Sequence, residues 1–314
     1  MVGESCAFRE MQTILNRIAQ YDATVLIHGE TGTGKELAAR AIHYVGPRKA
    51  RPFLPVNCGA LPDTLIENEL FGHCRGAYTS ADSDQAGLVD AANGGTLFLD
   101  EVDSLSAKGQ VTLLRFLEDR QYRPVGARTH RRADVRIIAA SNNDLEREVA
   151  GNRFRADLLY RLQVLRLRVP PLRERDDDVL LLADAFIKES SARYRKPGLP
   201  LAPPTRAWFR RYRWPGNIRE LENVVCEAFL LTEGTTIEIA PPPVMRDAGP
   251  ATEPLSFRVA KQQAIAEFEQ RFLAHVLDRA EGNVSAAARI IGTERRHLGR
   301  LLKKYKLARS RLTA

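Results

Sequence analysis

The sequence has few cysteines and no long apolar run. Its 314 residues include four cysteines, Cys6, Cys58, Cys74 and Cys226, with no Cys-x-x-Cys pair. Such scattered thiols argue against a disulfide framework or a zinc site and fit a reducing compartment, the cytoplasm. No apolar run approaches the roughly 18 residues that a membrane span needs, so no membrane partner is expected. The first ten residues carry Glu4 and Arg9 and no apolar signal core. Aromatics make up only 7%, yet hydrophobic residues reach 44% and charged ones 27%. That composition supplies a real core and excludes disordered, collagen-like and coiled-coil chains, and the length suggests about two domains.

Positive charge is concentrated at one end. The net charge is +8, and from Asn283 onward nine basic residues are opposed by one acid, Glu294. The last 32 residues therefore carry the whole excess, which points to a polyanion partner for that unit alone. A Pro-rich stretch, 240–256, reads as a linker (Pro241, Pro242, Pro243, Pro250, Pro254). A weaker break lies at Val169-Pro170-Pro171. Ahead of it, short strand-like runs alternate with helical patterns, as in a parallel α/β fold. The expected strands are Thr24–His28, Phe53–Asn57, Thr96–Asp100 and Val135–Ala140, and the expected helices beyond the break are Asp178–Tyr194 and Ile218–Leu231. The domains read as 1–170, 171–239, the linker 240–256, and 257–314.

Three strand ends carry chemistry. Gly29-Glu30-Thr31-Gly32-Thr33-Gly34-Lys35 follows the first strand and precedes a helical stretch, Glu36–His43. Glycines let successive N–H groups curl around phosphate oxygens, the helix N-terminus adds its dipole, and Lys35 reaches the β- and γ-phosphates. Glu36 stands where the general motif has a magnesium-binding Ser or Thr. About 70 residues on, an apolar strand ends in Asp100-Glu101. Asp100 suits a magnesium ion with its water shell, and Glu101 suits a base that orients the attacking water. A further strand ends in Ala140-Ser141-Asn142, where an amide can sense the γ-phosphate or position water.

Together these elements resemble an AAA+ P-loop ATPase, with a parallel-sheet core and an α-helical lid. The segments Val56-Asn57-Cys58-Gly59-Ala60-Leu61, Glu69-Leu70-Phe71-Gly72-His73 and Trp214-Pro215-Gly216-Asn217-Ile218-Arg219-Glu220-Leu221 are similar to those of bacterial enhancer-binding proteins. That family remodels RNA polymerase carrying sigma-54, and its members also have Glu at the Glu36 position. The resemblance implies ATP and Mg2+ as ligands and a self-assembled ring, dimer to hexamer. It implies Asn57 as a switch partner holding Glu101 away from water, and Arg219 as a second sensor reaching from the lid. It implies Arg155 and Arg161, in the segment Phe154–Leu162, as fingers completing a neighbouring subunit's site. The family's sigma-contact loop, Gly-Ala-Phe-Thr-Gly-Ala, corresponds to Gly76-Ala77-Tyr78-Thr79-Ser80-Ala81 here. Tyr78 adds a hydroxyl that must be hydrated or paired. Ser80 replaces a glycine, so positive φ there costs on the order of 1 kcal/mol.

The C-terminal unit begins with a helical stripe, Ile265, Phe268, Phe272, Val276 and Leu277, suited equally to core packing or to dimerisation. An Ala-rich helix, a Gly turn at Gly292 and a basic helix follow, similar to a Fis-type helix-turn-helix. Leu298 and Leu302 face its core, with Ala287 and Ala288 allowing close helix crossing. Arg295, Arg296, His297 and Arg300 are placed for the major groove, and Lys303 and Lys304 for phosphates. The expected partner is double-stranded DNA at an upstream, enhancer-like site.

The sequence thus reads as an ATP-dependent transcriptional regulator acting on sigma-54 RNA polymerase holoenzyme. A regulator working without sigma-54, as a repressor or through the main sigma factor, is the alternative that Tyr78 and Ser80 motivate. The resemblance starts at the second residue. It leaves no room for a sensing domain, so either such a domain was removed or a separate regulatory protein supplies control.

Overall fold

The alternation of short apolar strands with helices builds a five-stranded, wholly parallel sheet in the computed structural model. The described residues are 1–62, 66–78, 81–242, 269, 272, 273, 276, 280, 283–293 and 295–304, without the side chains of Ile290, Lys303 and Lys304. Thr79, Ser80, Ile265, Phe268, Leu277 and the linker from Pro243 onward lie outside them. Two compact units emerge, 1–242 and 243–314.

In chain order the strands are β1 (Val25–His28), β2 (Phe53–Asn57), β3 (Gly72–His73), β4 (Gln85–Ala86), β5 (Thr96–Asp100), β6 (Gln121–Tyr122), β7 (Arg131–Arg132), β8 (Arg136–Ser141) and β9 (Leu165–Arg168). The helices of the first unit are α1 (Cys6–Ala19), α2 (Lys35–Val45), α3 (Ile66–Phe71), α4 (Leu88–Ala91), α5 (Ala107–Asp119), α6 (Leu145–Ala150), α7 (Ala156–Leu162), α8 (Asp178–Tyr194), α9 (Pro203–Phe209) and α10 (Asn217–Leu231). The sheet order is β2-β5-β8-β1-β9. All six residues of central β8 are buried, as a strand covered on both faces requires. Ile138 and Ala140 pack with Phe8, Met11, Leu15, Ala38 and Ile42 of α1 and α2. Ile137 and Ala139 pack on the opposite layer with Leu113 and Phe116 of α5 and Leu158 of α7. The four expected strands agree with β1, β2, β5 and β8 to within one residue at each end. Edge strand β9 is not among them, because Leu165-Arg166-Leu167-Arg168 buries only one side.

The lid is the helical part, α8 to α10. Trp214 is 1% exposed and stacks on Trp208, with Phe209 and Tyr212 edge-on around it. Its indole N–H donates to the Phe209 carbonyl at 3.0 Å. The chain up to Ile239 packs on the lid, with Trp208 Nε1 donating to the Ile239 carbonyl at 2.8 Å. A buried pair, Arg175–Asp178, ties lid to N-terminus: Asp178 accepts from the Ser5 backbone and hydroxyl, and Arg175 donates to the Val2 carbonyl.

In the second unit, α11 (Val284–Ile290) is capped by Asn283, whose side chain accepts from the N–H groups of Ser285 and Ala286. Gly292, at φ 66°, makes the turn into α12 (Arg295–Lys304). Left-handed backbone of this kind is why glycine sits there. Ala287, Ala288, Leu298 and Leu302 are buried together with Leu273, Val276 and Ala280. Arg295, Arg296, His297 and Arg300 are exposed. No described helix is long and apolar enough to cross a membrane. The four cysteines are free thiols.

Candidate nucleotide site

The phosphate loop leaves the C-terminal end of β1, next to the end of β8 and one strand away from that of β5. In open parallel sheets that edge is where ligands bind. Gly32 and Gly34 hold φ of 77° and 93°, left-handed values that other residues adopt at a cost. A Cβ on Gly32 would also lie 2.3 Å from the Gly216 carbonyl, so glycine is required there for space as well. Lys35 opens α2 and is 7% exposed. Its ammonium donates to the Gly29 carbonyl at 2.8 Å, the Glu30 carbonyl at 3.1 Å and the Asn142 amide oxygen. Burial lowers its pKa, while the nearby Asp100, Asp103 and Glu101 oppose that fall. Thr33 is buried, and its hydroxyl donates to the Glu30 carbonyl at 2.8 Å. Glu36 turns along the helix to pair with Arg40 at 2.7 Å.

Asp100 ends β5, and Glu101 follows in a left-handed conformation, φ 56°, with its N–H donating to Asp100 Oδ1 at 3.0 Å. Burial raises the Asp100 pKa; the Lys35 charge pulls the other way. Asn142 links the two halves of the site. Its oxygen accepts from Lys35, and its Nδ2 donates to Glu101 Oε1 at 3.4 Å. Asp103 supports Asn142, accepting from its backbone N–H at 3.3 Å.

Asn57 and Glu101 flank Gly59: a Cβ there would meet Glu101 Oε2 at 3.1 Å and Asn57 Oδ1 at 3.2 Å. The Asn57 oxygen accepts from the Gly59 N–H at 2.8 Å. Among the described residues, the side-chain hydrogen bond to Glu101 comes from Asn142, not from Asn57. Burial beside these carboxylates pushes the Cys58 thiol up to about 12, which keeps it protonated.

Glu30 faces the lid. Its carboxylate accepts from Arg173 at 2.6 and 2.8 Å and from Asn217 Nδ2 at 3.1 Å. The Arg173 bonds hold its pKa down at about 2. Asn217 is fully buried at φ 52°. It also donates to the Thr31 carbonyl at 3.0 Å and accepts from the Leu172 N–H at 2.9 Å. Ile218 N–H donates to the Gly32 carbonyl at 2.9 Å. The start of α10 is thus bonded directly onto the phosphate loop. Arg219 follows, its Cβ 3.2 Å from the position a Gly32 Cβ would take. Asn217→Ala should destabilise the fold by about 1–3 kcal/mol, because the Leu172 donor is left buried and unpaired. We expect a lower melting temperature together with weaker nucleotide binding in a titration.

Asn217, Arg173 and Asp103 are not among the site residues expected from the sequence. Arg173 lies 143 residues from Glu30, and no local spacing reports that pairing. Arg155, the N-cap of α7, and Arg161, within it, are exposed although the helix buries Leu158, Leu159 and Leu162: Arg155 pairs with Asp157 at 2.7 Å, and Arg161 faces Glu118 at 3.9 Å. In the loop around Tyr78, Gly76 N–H donates to the Ala81 carbonyl at 2.9 Å, and Ala77 N–H to the Cys74 carbonyl at 3.1 Å. Tyr78 lies against the His73 ring, centroids 5.0 Å apart, with its hydroxyl 3.4 Å from a ring nitrogen. The added hydroxyl therefore has a partner within the chain.

Among the described residues, no group of three or more His, Cys, Asp or Glu forms a metal cage. Asp100, partly buried at the end of β5, fits magnesium, which is commonly held by one or two carboxylates plus substrate phosphates.

Three family models cover most of the chain: a sigma-54 interaction domain over residues 1–168, an AAA+ ATPase lid domain over 173–253, and a bacterial regulatory protein domain of the Fis family over 264–305. The chain is 42% identical to the hydrogenase transcriptional regulatory protein HoxA of Bradyrhizobium diazoefficiens, across 94% of this chain and 62% of the relative. It is 42% identical to the response regulator protein PilR of Pseudomonas aeruginosa, across 97% and 69%. It is also 42% identical to the regulatory protein AtoC of Escherichia coli, across 92% and 64%. The chain thus spans roughly two thirds of the length of these relatives. Among solved structures, NtrX from Brucella abortus in complex with ADP matches at 32% identity with a TM-score of 0.74, covering 97% of this chain and 68% of NtrX. The complex of NtrX with ATP matches with a TM-score of 0.73. With its phosphate loop, acidic strand end, lid and helix-turn-helix in this order, the chain belongs to the family of sigma-54-dependent transcriptional regulators.

Proposed function

We propose that this protein binds and hydrolyses ATP between the subunits of a ring and uses the energy to remodel sigma-54 RNA polymerase at promoters whose upstream DNA it grips. The observation that carries this reading is the Asn142 bridge: one amide touches both the phosphate-reaching Lys35 and the water-activating Glu101. The curled backbone from Gly29 to Gly34 and the N-terminus of α2 cradle the phosphates. Lys35 shifts from its carbonyl and amide acceptors onto the β- and γ-phosphate oxygens. Asp100 would hold a magnesium ion, which neutralises charge on the phosphate oxygens when bound. Glu101 orients the attacking water and takes its proton. Arg155 and Arg161 act on the site of the adjacent subunit, where a guanidinium offsets charge developing on the γ-phosphate.

Nucleotide state reaches the partner surface through two connections. Loss of the γ-phosphate changes what Asn142 and Glu101 bond to. The lid follows the phosphate loop through Asn217, Ile218 and the Glu30–Arg173 pair. The loop from Gly76 to Ala81 then engages sigma-54, with Tyr78 leaving His73. Arg295, Arg296, His297 and Arg300 read the operator from the major groove, while Lys303 and Lys304 bind phosphates.

The test is open-complex formation in vitro with sigma-54 polymerase, a promoter carrying the upstream site, and hydrolysable ATP. Open complexes should form with ATP and not with a non-hydrolysable analogue. Intact hydrolysis without open complexes would instead favour a regulator acting as a repressor or through the main sigma factor.

A further inference from the structure

The first 282 residues are electrically neutral overall, yet one segment within them is not. From Arg120 to Arg132 the chain has five arginines and His130, and no acid. Strands β6 and β7 form the stem of an antiparallel hairpin here, pairing Gln121 with Arg132 and Tyr122 with Arg131. The stem is fixed from below. Tyr122 is 4% exposed, stacks on Phe71 at 5.7 Å, and its hydroxyl bonds to Asp90. Arg120 turns inward to the Val135 carbonyl, and Arg131 pairs with Asp90 at 3.2 Å. Arg123, Arg128, His130 and Arg132 are exposed to solvent. Among the described residues, no carboxylate lies within ion-pair distance of these three arginines.

The hairpin also has a defined neighbour. Val125 N–H donates to the Gly72 carbonyl at 2.9 Å, and Cys74 N–H donates to the Val125 carbonyl at 2.9 Å. A Cβ on Gly126 would meet the Cβ of Ala77 at 3.0 Å. The tip is therefore clamped against the root of the Tyr78 loop, where Arg75 is also exposed.

We propose that this arginine hairpin is a second nucleic-acid contact, binding the phosphate backbone of duplex DNA without regard to sequence beside the Tyr78 loop. The proposal rests on the reading that this loop meets polymerase at a promoter, where duplex DNA lies next to the protein partner. The residue types favour phosphate over an acidic polypeptide. The exposed cations are arginines, whose planar fork suits phosphate oxygens. The exposed part of the segment offers no large apolar side chain, and a peptide interface draws most of its affinity from such anchors. Phosphate binding needs charge and register alone.

The test uses the full chain with its helix-turn-helix silenced by Arg296→Glu and Arg300→Glu, so that residual duplex binding reports other surfaces. A labelled duplex of about 30 base pairs, lacking any palindrome, is titrated between about 50 and 200 mM salt. Adding Arg123→Ala, Arg128→Ala and Arg132→Ala should weaken binding at low salt at least about tenfold and flatten the salt slope by about 2–3, near one for each phosphate no longer neutralised. The matching triple Lys variant should keep most of the affinity and guards against a folding artefact, with unchanged thermal melting as the control. Equal affinity before and after the Ala changes would overturn the proposal. So would a Lys variant as weak as the Ala one, or polyglutamate binding tighter than the duplex. Open-complex formation is scored separately: if it occurs while duplex affinity is untouched, the hairpin proposal alone fails.

Discussion

Changing Glu101 to Gln should lower ATP turnover by about 10²–10⁴-fold, the usual contribution of a positioned general base, while ATP still binds. The substitution keeps size and one acceptor but removes the proton-accepting charge. It also retains a group that Asn142 can bond, so the Lys35–Asn142 end of the network is left in place. Steady-state phosphate release beside a fluorescent-nucleotide titration separates the two effects. An unchanged rate would show that water activation lies elsewhere, and Asp103, already bonded to Asn142, would be the next carboxylate to test.

Arg161→Ala should have the larger effect, about 10³–10⁵-fold in turnover, again with nucleotide binding largely intact. Among the described residues of its own protomer, the ion pair of Arg161 is a 3.9 Å approach to Glu118, and both side chains are about half exposed. Such surface pairs contribute roughly 0–1 kcal/mol to stability, so the variant should melt near the wild-type temperature. A large kinetic loss without a stability loss would show that Arg161 serves catalysis and not the packing of its own protomer. Arg155 is held more firmly, by two bonds to Asp157, and has to exchange that partner to act in the same way.

Much of the site is legible from local spacing along the chain. The glycines of the phosphate loop and the Asp100–Glu101 strand end are contiguous in sequence, and strand-to-turn geometry follows from contiguous residues. The helix-turn-helix core is legible for the same reason: Leu298 and Leu302 share a helix face, and both are buried. The parts that are not legible depend on tertiary closure. Asn217 reads as a helix start after Trp-Pro-Gly, and nothing local reveals that it bonds the phosphate loop some 186 residues away. The Glu30–Arg173 pair joins loop to lid in the same hidden way. Strand β9 escapes because an edge strand with alternating arginines carries half the apolar signal of a central one. Asn57 shows a different limit. Its position at the end of β2, level with Asp100, is readable, but its hydrogen bond goes to Gly59 while Asn142 takes Glu101.

The central claim is that each working site is shared between two chains, and mixing the two inactive variants tests it most directly. Glu101→Gln chains can lend an arginine but cannot activate water, whereas Arg161→Ala chains can activate water but lend no arginine. In an equimolar mixture of randomly assembled rings, about a quarter of the interfaces would pair an intact Glu101 with an intact Arg161, and turnover should recover to a similar fraction of wild type. A mixture no more active than the average of its two components, with mixed rings demonstrated by size and labelling, would contradict a shared site.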